Sequence, residues 1–164
     1  MIAILLNDAS FEQDIRELLM AFYPGETFTH KEEEAGEADL IVRGVRDGNS
    51  FSLNVTPVKK EAVHFALIYP DFSNRFETKN EIKQTLYRLL SAQTGRELPW
   101  GTLTGIRPTK IALTKLYDGW TDEQIETYMR ETYFTSKEKI DLSIDVAERE
   151  RRLLSTIDYE NGYS

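Results

Sequence analysis

Residues 2–22 read IAILLNDASFEQDIRELLMAF, and this stretch decides the first half of the fold. Its first five residues form a continuous apolar run, which is typical of a buried strand. Ser10 and Gln13 then have the spacing of a capping box, and Pro24-Gly25 ends the segment. Between these signals, apolar side chains recur at intervals of three and four, the spacing of one helix face: Phe11, Ile15, Leu18, Leu19 and Phe22. The stretch predicts a strand that leads into a helix packed on a sheet.

Further strands are predicted before Pro70. Apolar character resumes at residues 40–42, Asp47-Gly48 is a tight hairpin signal, and apolar and polar residues alternate over 51–56. Residues 62–69 are rich in β-branched and aromatic side chains and form another strand-like run. The polar run 30–37 holds four glutamates and predicts a solvated loop. The result is a three- or four-stranded sheet in the order βαβββ.

Beyond Pro70 the pattern changes to helices. Three pairs have the spacing of a capping box, namely Thr78 with Glu81, Thr121 with Gln124, and Thr135 with Glu138. Pro108 suits the first turn of one more helix. The predicted class is therefore α+β: a small mixed β-sheet covered by residues 11–22 and 82–90, followed by a C-terminal helical segment of about four helices. We divide the chain into a sheet subdomain, 1–70, and a helical subdomain or connector, 71–164.

Composition excludes several classes of function. The 164 residues include no cysteine, so this chain supplies no disulfide, thiolate metal ligand or thiol nucleophile. The net charge of -8 argues against a nucleic-acid partner. No apolar run approaches the ~20 residues of a membrane span, so we expect a soluble, cytoplasmic chain with no membrane partner.

A helix-turn-helix nucleic-acid binder is the least supported alternative. Residues 121–133 followed by 135–147 have the spacing of that motif. Residues 118–148, however, hold nine acidic and three basic side chains, a net charge of -6 where phosphate contacts would be needed.

The sequence does not offer the catalytic groups that an independent enzyme would need. His30 lies in the acidic run and is expected to be solvated, whereas His64 lies in an apolar strand and is expected to be a core or edge residue. The sequence contains no calcium loop, no His-Glu-x-x-His helix and no glycine-rich phosphate loop. We therefore assign no catalytic and no metal-binding residue to this chain.

The most distinctive stretch lies in a basic segment. Residues 75–115 hold eight basic and three acidic side chains, a net charge of +5, and include LPWGTLTGIRPTK at 98–110. Arg107 and Lys110 stand beside the exposed N–H groups of a predicted helix start, an arrangement that favours an anion. The alternative is structural: Trp100 is a core anchor, and Gly105 with Pro108 forms a tight helix entry. The residues alone leave both open.

These motifs resemble the N-terminal region of the oxygen-independent coproporphyrinogen III oxidases, or dehydrogenases, of Firmicutes, which are radical SAM proteins of haem biosynthesis. Residues 133–139 and 146–150 look like the helical stretch that leads into that family's catalytic barrel. The resemblance covers residues 80–164 well and 1–70 only in general layout. It is carried by QTLYRLL at 84–90 and by Trp100-Gly101, Thr104-Gly105 and Arg107-Pro108-Thr109-Lys110.

The resemblance implies an oxidoreductase function. The family decarboxylates two propionates of coproporphyrinogen III to vinyl groups, giving protoporphyrinogen IX. Its barrel carries a Cys-x3-Cys-x2-Cys loop that binds a [4Fe-4S] cluster, which reduces S-adenosylmethionine. Since no cysteine occurs here, we expect the chain to be inert alone, with cluster and S-adenosylmethionine bound by a segment beyond residue 164. The implied partners are the barrel of the same polypeptide and, as a candidate ligand, coproporphyrinogen III.

Two roles remain open for the candidate residues. In one, they hold the tetra-carboxylate substrate, with Arg107 pairing bidentately and Lys110 acting as a point charge. In the other, they dock this domain on an acidic surface of the barrel. A stand-alone interaction or regulatory module is the alternative to both. The candidates are Arg88, Trp100, Gly101, Thr104, Gly105, Arg107, Pro108 and Lys110.

Overall fold

The structure, a computed structural model, describes residues 1–59, 63–104 and 108–160, with side chains of the last helix described as far as Ile157. The chain forms two compact units, Met1–Glu97 (unit 1) and Leu98–Ser164 (unit 2). The boundary predicted after residue 70 therefore differs from the observed division. The reason is that the first helix after Pro70 packs with the sheet and belongs to unit 1.

Unit 1 contains a five-stranded mixed sheet, so the predicted α+β class is confirmed. The sheet order is β2-β1-β3-β4-β5, with β1 parallel to β2 and β3, and the remaining pairs antiparallel. The sequence predicted three or four strands in the order βαβββ and missed β2, because β2 has only two residues and shows no periodicity. The strands are β1 (Ile2–Leu6), β2 (Phe28–Thr29), β3 (Leu40–Asp47), β4 (Ser50–Pro57) and β5 (His64–Ile68).

Two helices, α1 (Glu12–Phe22) and α2 (Arg75–Thr94), belong to unit 1, and both have caps other than those predicted. Asp8 accepts a hydrogen bond from the Ser10 backbone N–H in the 3₁₀ turn before α1, so Ser10 is not the cap. Asn74 caps α2, whereas Thr78 is buried and donates its hydroxyl to the Asp71 carbonyl. Both predictions chose a hydroxyl residue inside the helical segment, whereas the observed caps are an aspartate and an asparagine, and Asn74 itself lies three residues before Glu77.

The core of unit 1 lies between the sheet and these helices. The predicted apolar faces of α1 and α2 are buried, including Ile15, Phe22 and Leu86, and the Phe22 ring packs edge-on against Tyr87 at 5.4 Å. On the other face of β1, Ala3 and Leu5 pack against Ala35 and Ala38. The acidic run is therefore no simple loop: residues Glu32–Glu37 form a 3₁₀ helix whose alanine side covers the sheet.

Unit 2 contains the helices α3 (Lys110–Tyr117), α4 (Asp122–Tyr133) and α5 (Lys137–Glu160). The capping box at Thr121 and Gln124 is confirmed, with both hydrogen bonds formed. At α5, by contrast, the Ser136 hydroxyl accepts from the Lys139 N–H, in place of the predicted cap, Thr135. One buried cluster joins the three helices: Ala112, Leu116, Ile125, Met129, Ile140, Ile144 and Ala147.

The capping box gives a first prediction. We expect Thr121→Ala to lower the free energy of unfolding of unit 2 by about 0.5–2 kcal/mol, since α4 loses the acceptor for the Gln124 N–H. Thr127→Ala is the control, because Thr127 is exposed in the middle of the same helix and alanine has the higher helix propensity. Urea unfolding followed by tryptophan emission measures unit 2 specifically, since both tryptophans, Trp100 and Trp120, belong to it. Equal effects of the two substitutions would contradict the cap.

Candidate functional site

The predicted site residues are divided between the two units. Arg88 lies exposed on α2 in unit 1, whereas Trp100, Gly101, Thr104, Pro108 and Lys110 belong to unit 2. Gly105 and Arg107 lie outside the described residues. Lys110 is exposed at the first position of α3, with Pro108 two residues before it.

The segment 98–103, which we call the Trp100 turn, is hydrogen-bonded to the junction between α4 and α5. The Thr102 N–H donates to the Tyr133 carbonyl at 2.7 Å, and the Ser136 N–H donates to the Pro99 carbonyl at 2.8 Å. The Thr135 hydroxyl donates to the Trp100 carbonyl at 3.2 Å. The motif that carries the family resemblance thus begins with a turn that holds two helices together.

Gly101 is essential to this contact. Its φ is +62°, and a Cβ at this position would lie 1.9 Å from the Tyr133 carbonyl oxygen and 2.5 Å from the Phe134 carbonyl carbon. Only glycine permits this backbone conformation and so close an approach. The glycine is explained by packing between backbones, a reason that the sequence did not reveal.

Trp100 is half-buried, and the ammonium of Lys139 lies 5.6 Å from its ring centroid. That distance is within the range of a cation–π interaction. Thr102, which sequence reasoning did not single out, is buried. The described side chains of the turn therefore contribute to packing within unit 2.

Tyr133 contacts both the Trp100 turn and the ring of Tyr128. Its ring packs edge-on against Tyr128 at a centroid distance of 5.8 Å, and the two hydroxyls are 3.5 Å apart. Burial, followed by the hydrogen bond to Tyr128, raises the pKa of Tyr133 above its ordinary value. The Tyr133 phenol therefore stays neutral in the folded state at a pH where an unfolded tyrosine ionises.

The raised pKa predicts alkaline instability. Above about pH 10 the unfolded chain ionises Tyr133 while the folded chain does not, so the unfolded state binds fewer protons and stability falls as pH rises. We expect Tyr133→Phe to reduce this fall, which for one group reaches at most about 1.4 kcal/mol per pH unit. The midpoints of urea unfolding at pH 8, 10 and 11 measure this loss of stability. Tyr117→Phe is the control, because Tyr117 is exposed. If the stability of both variants falls with pH as steeply as that of the unsubstituted chain, the neutral Tyr133 phenol does not determine stability at alkaline pH.

A polar cleft of 210 Å³ lies where β1 and β3 end, beside His30. His30 is exposed, as predicted, and its Nε2 lies 2.9 Å from a Glu12 carboxylate oxygen. Arg43 donates two hydrogen bonds to Glu32, which lowers the pKa of that carboxyl. The charged groups of the cleft are paired with one another, and exposed pairs of this kind contribute little stability.

The most unusual surface of unit 1 is an apolar row along β5. Among the described strands β5 pairs with β4 alone, so its other edge is open. Its inward positions are half-buried, including His64, which was predicted to be a core or edge residue. The outward residues are 48–66% exposed and define the β5 row: Val63, Phe65, Leu67 and Tyr69. Sequence reasoning missed this row, since apolar side chains occur on both faces of the strand and the period of two is hidden.

Membrane-spanning helices and metal-binding clusters are both absent from the described residues. In this part of the chain no helix has the length and apolar character needed to cross a bilayer. Within the same ranges, no group of three or more His, Asp or Glu side chains is placed to hold a metal ion.

Comparison with known proteins adds one relative. No family model matches the chain, and no solved structure matches it. The chain is 35% identical over 98 residues to the oxygen-independent coproporphyrinogen-III oxidase-like protein HemZ of Bacillus subtilis (strain 168). The match covers 58% of this chain and 19% of HemZ, so it spans about a fifth of that relative.

Fold and sequence together identify a mixed α+β domain with a helical unit. The predicted resemblance is confirmed: the chain matches about a fifth of an oxygen-independent coproporphyrinogen-III oxidase-like protein.

Proposed function

We propose that this chain is an accessory domain of a coproporphyrinogen oxidase-like protein and that it docks on the catalytic part through the β5 row. The match to HemZ carries the proposal, because four-fifths of that relative lie outside it. The chain has no cysteine, so it has no thiolate ligand for a [4Fe-4S] cluster. Under this proposal the cluster, S-adenosylmethionine and the decarboxylation belong to the catalytic part.

The β5 row supports docking because of its chemistry. Four large apolar side chains stand together on one face of an edge strand, and none of the four is charged. Exposed rows of this kind are typical of interaction surfaces, since water leaves apolar area favourably when a partner covers it. Since no described strand pairs with the outer edge of β5, its backbone N–H and C=O groups there are available to a partner strand.

Binding of the anionic substrate is the second candidate role. It is supported by the net charge of +5 over residues 75–115 and by the exposure of Arg88 and Lys110. A tetra-carboxylate needs several cations that converge on one place. Of the candidate cations, unit 1 contributes Arg88 and the described part of unit 2 contributes Lys110, whereas the β5 row is complete within unit 1, and for this reason we favour docking as the primary role.

The docking role predicts association in trans. HemZ lacking the region that this chain matches is mixed with the chain, and the complex is measured by sedimentation velocity. We expect binding that the double substitution Phe65→Ser/Leu67→Ser weakens at least about tenfold, because central apolar side chains dominate interfaces. Phe76→Ser is the matched control, since Phe76 is also about half exposed but lies on α2.

Two controls define the outcomes of this experiment. The corresponding region of HemZ, added as a separate polypeptide, shows that the truncated relative is competent to bind. With that control positive, failure of the chain to bind, or equal binding by the double variant, overturns the docking proposal. Anaerobic titration with coproporphyrinogen III tests the second role: saturable binding that Lys110→Ala or Arg88→Ala weakens would make substrate binding the primary function.

A further inference from the structure

Unit 2 contains an open groove of 700 Å³ along α4. Trp120 and Tyr128 form its aromatic wall, with ring centroids 5.5 Å apart and planes at 78°. The carboxylates of Glu123 and Glu131 line the same groove. Two rings nearly at right angles beside carboxylates make a surface on which an organic cation is stabilised.

The chain already places a cation of its own against the same two rings. The Lys115 ammonium lies 4.5 Å from the Trp120 centroid and 4.7 Å from the Tyr128 centroid. Both distances are within the range of cation–π attraction. Lys115 therefore marks the position that an ammonium or guanidinium group takes in this aromatic corner.

The carboxylates of the groove differ from their neighbour on the same helix. Glu126 pairs with both Arg130 and Lys137. Among the residues that the structure describes, neither Glu123 nor Glu131 forms an ion pair, and both are exposed. Residues 118–148 around the groove carry a net charge of -6. The groove thus combines two carboxylates that have capacity for a cation with two rings that already contact one ammonium.

We propose that this groove binds a lysine- or arginine-bearing segment of a partner protein. A cationic side chain of that segment takes the place of Lys115 between Trp120 and Tyr128, and neighbouring basic residues pair with Glu123 and Glu131. Lys115 fills the corner in the free protein and competes with the guest. The groove belongs wholly to unit 2, so the β5 row and the accessory role can fail without affecting this site.

The test uses the full chain labelled with ¹⁵N, whose two indole N–H signals report on Trp120 and, as an internal reference, on Trp100. The probe is hexalysine, and its fully ε-acetylated form is the uncharged control. We expect hexalysine to shift the Trp120 signal saturably while the Trp100 signal stays in place, and the acetylated peptide to have no effect. No saturable shift, or an equal shift with the acetylated peptide, overturns the proposal.

Three variants separate a built site from general attraction to an acidic surface. We expect Glu131→Gln to weaken binding about two- to fivefold, and Lys115→Met to strengthen it by a similar factor because the competing ammonium is gone. Asp145→Asn removes the same charge from α5, outside the groove, and is expected to leave affinity unchanged. Glu131 is chosen over Glu123 because Glu123 stabilises the first turn of α4. If Asp145→Asn weakens binding as much as Glu131→Gln, or Lys115→Met fails to strengthen it, the site is not the groove.

Discussion

Replacing Gly101 with alanine is expected to lower the free energy of unfolding of unit 2 by at least about 3 kcal/mol. The added Cβ would lie 1.9 Å from the Tyr133 carbonyl oxygen, and no rotation of a side chain relieves a clash with backbone. The left-handed φ of +62° adds its own cost for any residue with a Cβ. The turn must then leave the α4–α5 junction and break its hydrogen bonds to Tyr133 and Ser136.

Gly119→Ala is the matched control for this substitution. Gly119 also has a positive φ, +85°, and belongs to unit 2, but a Cβ there would meet no atom within 4 Å. We expect it to cost only the conformational term, about 1–2 kcal/mol. Urea unfolding followed by tryptophan emission measures both variants, and equal losses would show that the close approach at Gly101 is not real.

The second large effect is expected in unit 1. Phe22→Ala removes a fully buried ring that packs against Tyr87 between α1 and α2. Truncation of a buried phenylalanine costs about 3–5 kcal/mol, since the lost burial and the remaining cavity both destabilise the fold. Urea unfolding followed by circular dichroism at 222 nm measures the loss.

Phe76→Ala controls for the removal of a phenyl ring. Phe76 lies on α2 with 51% of its surface exposed, and substitutions at such positions usually change stability by less than about 0.5 kcal/mol. A loss at Phe76 comparable to that at Phe22 would contradict the described core.

The sequence predicted those parts of the fold that depend on local chemistry. The apolar run and helical spacing of residues 2–22 correspond to β1 and α1. Thr121 forms its capping box because both partners are three residues apart. These features depend on neighbours in the chain and on hydrogen bonds that a pattern can encode.

The remaining features depend on residues that are distant in the chain. The need for glycine at 101 comes from the carbonyl of Tyr133, and no local spacing indicates that approach. Alanines 35 and 38 cover β1 although four glutamates around them indicate a solvated run. The outward row of β5 and the pairing of Trp120 with Tyr128 likewise appear only once strands and helices are positioned.

For the candidate site, too, the sequence predicted one part and missed another. The sequence singled out the motif around Trp100, and the HemZ match confirms the family resemblance of the chain. It did not reveal that the first part of the motif is a structural turn. Nor did it reveal the exposed apolar row, which composition alone does not distinguish from a buried strand.

The central claim is that the β5 row docks this domain on the catalytic part of a coproporphyrinogen oxidase-like protein. Amide hydrogen exchange of the chain, with and without HemZ that lacks its matching region, tests it most directly. We expect slowed exchange at His64–Ile68 when the truncated HemZ is present, and unchanged exchange in α3, which belongs to unit 2. Protection elsewhere, with exchange in β5 unaffected, would contradict it.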